Sequence, residues 1–150
     1  EVEGQGLMSL QGVSGIATFS YNNFDLIYIQ KSQNTAFKIQ WCIYNSIDEI
    51  YEPKFEPSSG VDLLRNGLLN EPADICLDQF NNIFVIDSYK DSLYKFNSLG
   101  KLRSESFGGE GASPTQFSNP LGVAFFNKTL YICDTGNNRL LRFILSTDNN

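Results

Sequence analysis

Residues 117–143 read FSNPLGVAFFNKTLYICDTGNNRLLRF, and residues 69–96 read LNEPADICLDQFNNIFVIDSYKDSLYKF. Laying Pro72 on Pro120 aligns the two along their whole length: 48 residues separate the prolines, and 47 separate Asp87 from Asp134 and Phe96 from Phe143. Each copy gives a short apolar run (ADICL, LGVAF), a polar turn, and a second run ending in Asp (NIFVID, TLYICD). A polar loop (SYKD, TGNN) and a third run (SLYKF, RLLRF) follow. Short runs rich in β-branched and aromatic residues, bounded by Asn, Asp, Gly and Ser, predict strands. Between the copies, NSLG reads as a turn and KLRSESF as a fourth strand.

A period in the forties with four strands per unit predicts the blades of a β-propeller, since one blade cannot bury both faces and a second copy stacks against it. A fainter copy, GIATFSYNNFDLIYIQKSQNTAFKI, occupies residues 15–39. It sets Gly15-Ile16-Ala17 on Asp74-Ile75-Cys76 and Gly122-Val123-Ala124, and Tyr28-Ile29 on Tyr131-Ile132. Lys31 replaces the Asp and the leading Pro is missing, so this blade is degenerate. Residues 41–62 are expected to hold its remaining strand and a Pro/Ser linker. The expectation is an all-β propeller segment over residues 1–150, with blades at about 12–60, 69–107 and 116–146. Three blades fall short of the four to eight that close a ring. The chain is therefore expected to be a partial ring: a section of a longer propeller, or half of an oligomeric one. Only ILSTDNN follows the last RLLRF, and GLMSLQ near the start is the candidate to complete that blade.

With 41% hydrophobic and 19% charged residues, twelve Phe and seven Tyr, the composition is that of a globular β domain. A net charge of −6 disfavours phosphate backbones and anionic lipid. The absence of histidine removes the Ser/His/Asp triad, His-ligated zinc and axial-His haem together. Cys42, Cys76 and Cys133 form no CxxC pair; each lies in a strand-like run and is expected as a buried free thiol, one disulfide with a thiol left over being the alternative. No run reaches the roughly eighteen apolar residues of a membrane span. Residue 1 is Glu with no charged-then-apolar leader, as expected of a processed chain or a piece of a longer one.

The Pro-x-Gly-Val-Ala opening, the Tyr-Ile-x-Asp strand end and the Gly-Asn-Asn-Arg that leads into a strand ending in Phe resemble the NHL repeat of bacterial envelope and lipoprotein-like propeller proteins. Gly-His and Trp-Asp pairs of WD40 blades and the paired Gly of kelch blades are missing. The resemblance implies a propeller that serves as a binding platform in an extracytoplasmic setting. It also implies that the Gly-rich segment FGGEGASPTQF, residues 107–117, shares a partner-binding face with DTGNN, residues 134–138.

On that face the expected contact residues are Tyr89, Lys90 and Asp91, then Asn137, Asn138 and Arg139, with Gln116, Ser118 and Asn119 beside them; aromatic and Arg side chains are favoured anchors. Asp87 and Asp134 end equivalent strands and are read as pins for the following loops, not as acid/base groups. Pro72, Pro120 and Gly122 are read as blade architecture. The Gly-rich segment lacks the Lys-Ser/Thr and the helix of a phosphate loop. Trp41 is expected in the core, and Asn127-Lys128-Thr129 is a glycosylation sequon. No catalytic residue, metal site or cofactor is expected. The leading reading is a non-catalytic protein-binding or scaffold subunit of a larger, envelope-associated assembly. A carboxylate- and calcium-dependent hydrolase or lyase on a six-blade propeller is the first alternative, and an RNA-binding NHL domain the second.

Overall fold

The computed structural model describes residues 13–21, 24–30, 39–48, 50–54, 68–103 and 107–145. GLMSLQ and most of ILSTDNN lie outside the described residues, as does the side chain of Trp41. Three antiparallel sheets follow one another along the chain. The first is a meander of β1 (Val13–Tyr21), β2 (Phe24–Gln30), β3 (Ile39–Asn45) and β4 (Ile50–Lys54). The second runs β5 (Pro72–Leu77), β6 (Ile83–Asp87), β7 (Ser92–Phe96) and β8 (Phe107–Gly108). The third holds β9 (Gly122–Phe126), β10 (Thr129–Asp134) and β11 (Arg139–Ile144).

The innermost strand of each sheet packs on that of the next, β1 on β5 and β5 on β9. The molecule is a section of a β-propeller, and the sheets are its blades. Period-two alternation does the stacking. In β6 and β7, Ile83, Val85, Tyr94 and Phe96 face the first blade, where they meet Ile39 and Ala17. Their neighbours Phe84, Ile86 and Leu93 face the third blade, where they meet Val123, Leu130 and Ile132. All five residues of β6 are buried, as befits a strand covered on both faces. Each fully buried Phe or Ile contributes about 1.5–3 kcal/mol.

One expectation about strands is corrected. Residues 41–54 hold parts of two strands, β3 and β4, where one was expected; the expected Pro/Ser linker lies outside the described residues. Pro53 pairs with Cys42 inside β4, an edge strand among the described residues, where a missing N–H costs no ladder bond on the open side. The expected fourth strand of the middle blade, KLRSESF, runs beside β7 at both its ends: the Arg103 amide donates to the Lys95 carbonyl, Phe107 pairs with Leu93, and residues 104–106 lie outside the described residues. Leu102 makes an isolated bridge to Phe96, and the regular pairing, β8, starts at Phe107 and extends one residue into the Gly-rich segment.

The turns follow their sequence chemistry. Asn127 and Lys128 sit at φ 45° and 60°, the two-residue hairpin turn that matches strand twist. Asp78 holds the β5–β6 turn by accepting the Phe80 and Asn82 amides, each at 2.9 Å. Cys133 departs from its expected burial. It is exposed, while Cys42 is buried and Cys76 half-buried, and all three are free thiols.

Candidate functional site

Asp87 ends β6 fully buried and gathers two loops. Its carboxylate accepts the amides of Asn70 (2.6 Å) and Glu71 (3.1 and 3.2 Å) from the segment leading into β5. It also accepts the amides of Tyr89 and Lys90, both at 3.1 Å, from the loop leading to β7. Lys90 Nζ reaches back to the Leu68 carbonyl at 2.7 Å. Asp91, at φ 48°, accepts the Asn119 amide at 2.6 Å and so ties the middle blade to the entry of the last.

Asp134 repeats the device one blade on, with different donors. It accepts the Ser118 amide at 2.7 Å, Asn137 Nδ2 at 2.9 Å and Arg139 Nε at 2.7 Å. Burial pushes its carboxyl up, but the Ser118 amide, the Asn137 side chain and the Arg139 guanidinium together outweigh burial and hold it below the usual carboxylate value. The Arg139 fork continues outward: Nη1 donates to Ala112 O at 2.7 Å, and Nη2 to Ser113 O at 2.7 Å and Gln116 O at 2.9 Å. Asn137 Nδ2 also donates to Gly111 O at 2.8 Å. Gly136 packs so close to Ser118 that an added Cβ would lie 2.6 Å from the Ser118 carbonyl oxygen.

The loop at 134–138 and the Gly-rich segment therefore lie side by side, laced by Arg139 and Asn137. Of the nine expected contact residues, Tyr89, Asn119 and Asn138 stand exposed; Lys90, Asp91, Gln116, Ser118, Asn137 and Arg139 are half-buried in this lattice. Asn138 is the left-handed residue that closes the turn at Thr135–Asn137. Pro72 and Pro120 are buried at the entries of β5 and β9, and Gly122 leaves room for Cys133 Sγ, 3.1 Å from where a Cβ would stand.

Sequence reasoning missed Asp74, whose Oδ2 accepts the Val123 amide at 3.0 Å and links inner strands of adjacent blades. A lone Asp with no counterpart at Gly122 carries no signal for such a contact. The loop-face carboxylates of Asp87 and Asp134 have their lone pairs occupied by these donors, which suits them to fixing loops and not to moving protons. Among the described residues, no three acidic, Cys or His side chains gather as metal ligands. A cleft of about 280 Å³ opens at the outer rim between the second and third blades, lined by Phe84, Leu93, Lys95, Phe107, Leu130 and Phe143.

Comparison with known proteins bears on this face. Residues 117–143, which span the entry segment, β9, β10 and most of β11, match the NHL repeat. The last blade is an NHL repeat. No curated protein sequence matches the chain. Among solved structures, a gluconolactonase from Xanthomonas campestris superposes with a TM-score of 0.55 at 14% identity, over 83% of this chain and 35% of that enzyme. The chain thus spans about a third of the length of that propeller, and the likeness extends the NHL blade's fold to its neighbours. It also corrects the expectation of a non-enzyme. An enzyme stands on this fold, and a chain without histidine forgoes histidine chemistry alone.

Proposed function

We propose that the chain is a propeller section whose loop face binds a protein partner, with Tyr89 as its anchor. The observation that carries this reading is a contrast within one residue. The Tyr89 ring is 67% exposed, while its amide is fixed to the buried Asp87 carboxylate. A large aromatic held out on a backbone that cannot rearrange loses little entropy when covered, which is what favours such residues as interface anchors. Asn119, whose amide is held by Asp91, and Asn138, which closes the Thr135–Asn137 turn, add exposed polar groups on hydrogen-bonded backbone.

The test is a peptide library selected on the folded chain. Peptides that bind the loop face should lose at least about ten-fold in affinity, ~1.4 kcal/mol, for Tyr89→Ala, with an unchanged thermal melt. Equal affinity for the variant would overturn the reading.

A second reading is favoured by the gluconolactonase neighbour: hydrolysis of a lactone or similar cyclic ester, with calcium as the cation of the hydrolase alternative read from the sequence. Acid release from gluconolactone, followed with and without added calcium, decides it. Turnover above the buffer rate supports catalysis, and a rate equal to buffer removes this reading.

A further inference from the structure

Among the Asn residues of the chain, only Asn127 is followed two positions later by Ser or Thr, in Asn127-Lys128-Thr129. An Asn with a hydroxyl at that spacing, and no Pro between, is the acceptor motif for N-linked oligosaccharide. The structure sets it on the two-residue turn between β9 and β10. Phe126 pairs with Thr129 across that turn, and Asn127 and Lys128 are both exposed at positive φ. Asp134 closes β10 on the loop face, so this turn lies at the opposite end of the blade.

Two observations set Asn127 apart from the other turn residues of its kind. Asn45, Asp78 and Asn97 each turn a side-chain oxygen onto the backbone amide two residues ahead, at Ile47 (2.9 Å), Phe80 (2.9 Å) and Leu99 (3.1 Å). The Asn127 carboxamide has no hydrogen-bond partner among the described residues; its backbone carbonyl alone is engaged, by Thr129 Oγ1 at 3.3 Å. The left-handed backbone makes this turn, and the side chain at its tip is left over. The second observation is the position. The matching turn of the middle blade, residues 79–81, has a blade on either side and still leaves Phe80 68% exposed. A turn at this place projects past its neighbours, so the exposure of Asn127 does not depend on what stands beyond the last blade.

We propose that Asn127 is an N-glycosylation site and that the protein acquires one glycan there, in a compartment that displays a lipid-linked oligosaccharide diphosphate. Asn127 Nδ2 attacks the anomeric carbon of that donor. The N–C bond forms as the C–O bond to the diphosphate breaks; the lipid diphosphate leaves with the electron pair, and the amide gives up one proton. Thr129 dates the step. Its hydroxyl belongs to the motif that the transferase reads, yet in the folded chain Thr129 is 5% exposed, so transfer precedes closure of the β9–β10 hairpin. The finished glycan stands on an exposed turn at the end of the blade away from the loop face and leaves Tyr89 uncovered.

The test begins with the full protein purified from its natural source. Peptide N-glycosidase in heavy-oxygen water marks a glycan-bearing Asn as it releases the sugar, and mass spectrometry of the peptide containing residues 127–129 reads the mark. A marked Asn127 is the result expected, and the unmarked peptide alone overturns the proposal. Secreted from a eukaryotic cell behind a signal peptide, the protein should run as one glycosidase-sensitive band. The shift should persist in Thr129→Ser and disappear in Asn127→Gln and Thr129→Val. A melt of Thr129→Val equal to that of the glycosidase-treated wild type separates a lost glycan from a lost fold. A wild-type band that the glycosidase does not move overturns the proposal, as does a shift that survives in Asn127→Gln.

Discussion

At Asp134, burial raises the carboxyl's affinity for its proton, while the Ser118 amide, Asn137 and Arg139 lower it and prevail. The folded chain therefore holds this proton more weakly than the unfolded chain, where an aspartate titrates near 4. The stabilisation is complete above that value and is lost as pH falls through the lower folded value. Asp134→Asn should cost about 2–3 kcal/mol at neutral pH, because Arg139 loses its charged partner and stays only partly solvated. Below pH ~4 its melting temperature should fall less steeply than that of the wild type. Parallel pH–melt curves of the two proteins check this. The thiols give a contrast of the same kind. Burial raises Cys42 to about 11; burial, with Asp74 and Asp78 adding to it, raises Cys76 to about 12. Both should stay unreactive toward a thiol reagent at pH 8 until the chain is unfolded with urea.

Among the strands and loops, the aromatic packing between the last two blades is the most exposed to substitution. Phe117 is fully buried between β8 and the last blade, its ring 5.8 Å from Phe107 and 6.4 Å from Phe143, both edge-on. Phe117→Ala should destabilise by about 3–5 kcal/mol, read as a drop in the urea midpoint. It should also loosen the Gly-rich segment, whose Gly111 amide donates to the Phe117 carbonyl. How far such elements can be read from sequence depends on where their signal comes from. The central strands β6 and β10 were legible because each is a short apolar run that closes on an Asp placed alike in the last two blades. The edge strands were not. β8 has two residues and takes one of them, Gly108 at φ 117°, from a stretch that reads as loop, and β4 contains Pro53, which ordinarily argues against a strand. Cys133 lies in a legible strand, but its exposure depends on what stands beyond the last blade, which alternation alone does not say.

For the molecule as a whole, the repeat read from sequence gives the order of the blades but not the bonds that lock one to the next. Asp74 to the Val123 amide, Asp91 to the Asn119 amide and Ser14 Oγ to the Pro72 carbonyl all cross between blades, and none of them repeats. Together with Asp87 and Asp134 they make the loop face a fixed surface in place of a set of independent loops. That rigidity is the central claim, because the binding assigned to Tyr89 depends on a backbone that does not move. Backbone amide hydrogen exchange tests it most directly. The amides of Asn70, Glu71, Tyr89, Lys90, Ser118 and Asn119, all in loops, should exchange at least about a hundred-fold more slowly than solvent-exposed amides. In Asp87→Ala, protection should vanish at the first four and persist at Ser118 and Asn119. Exchange of all six at the unprotected rate in the wild type would contradict the account.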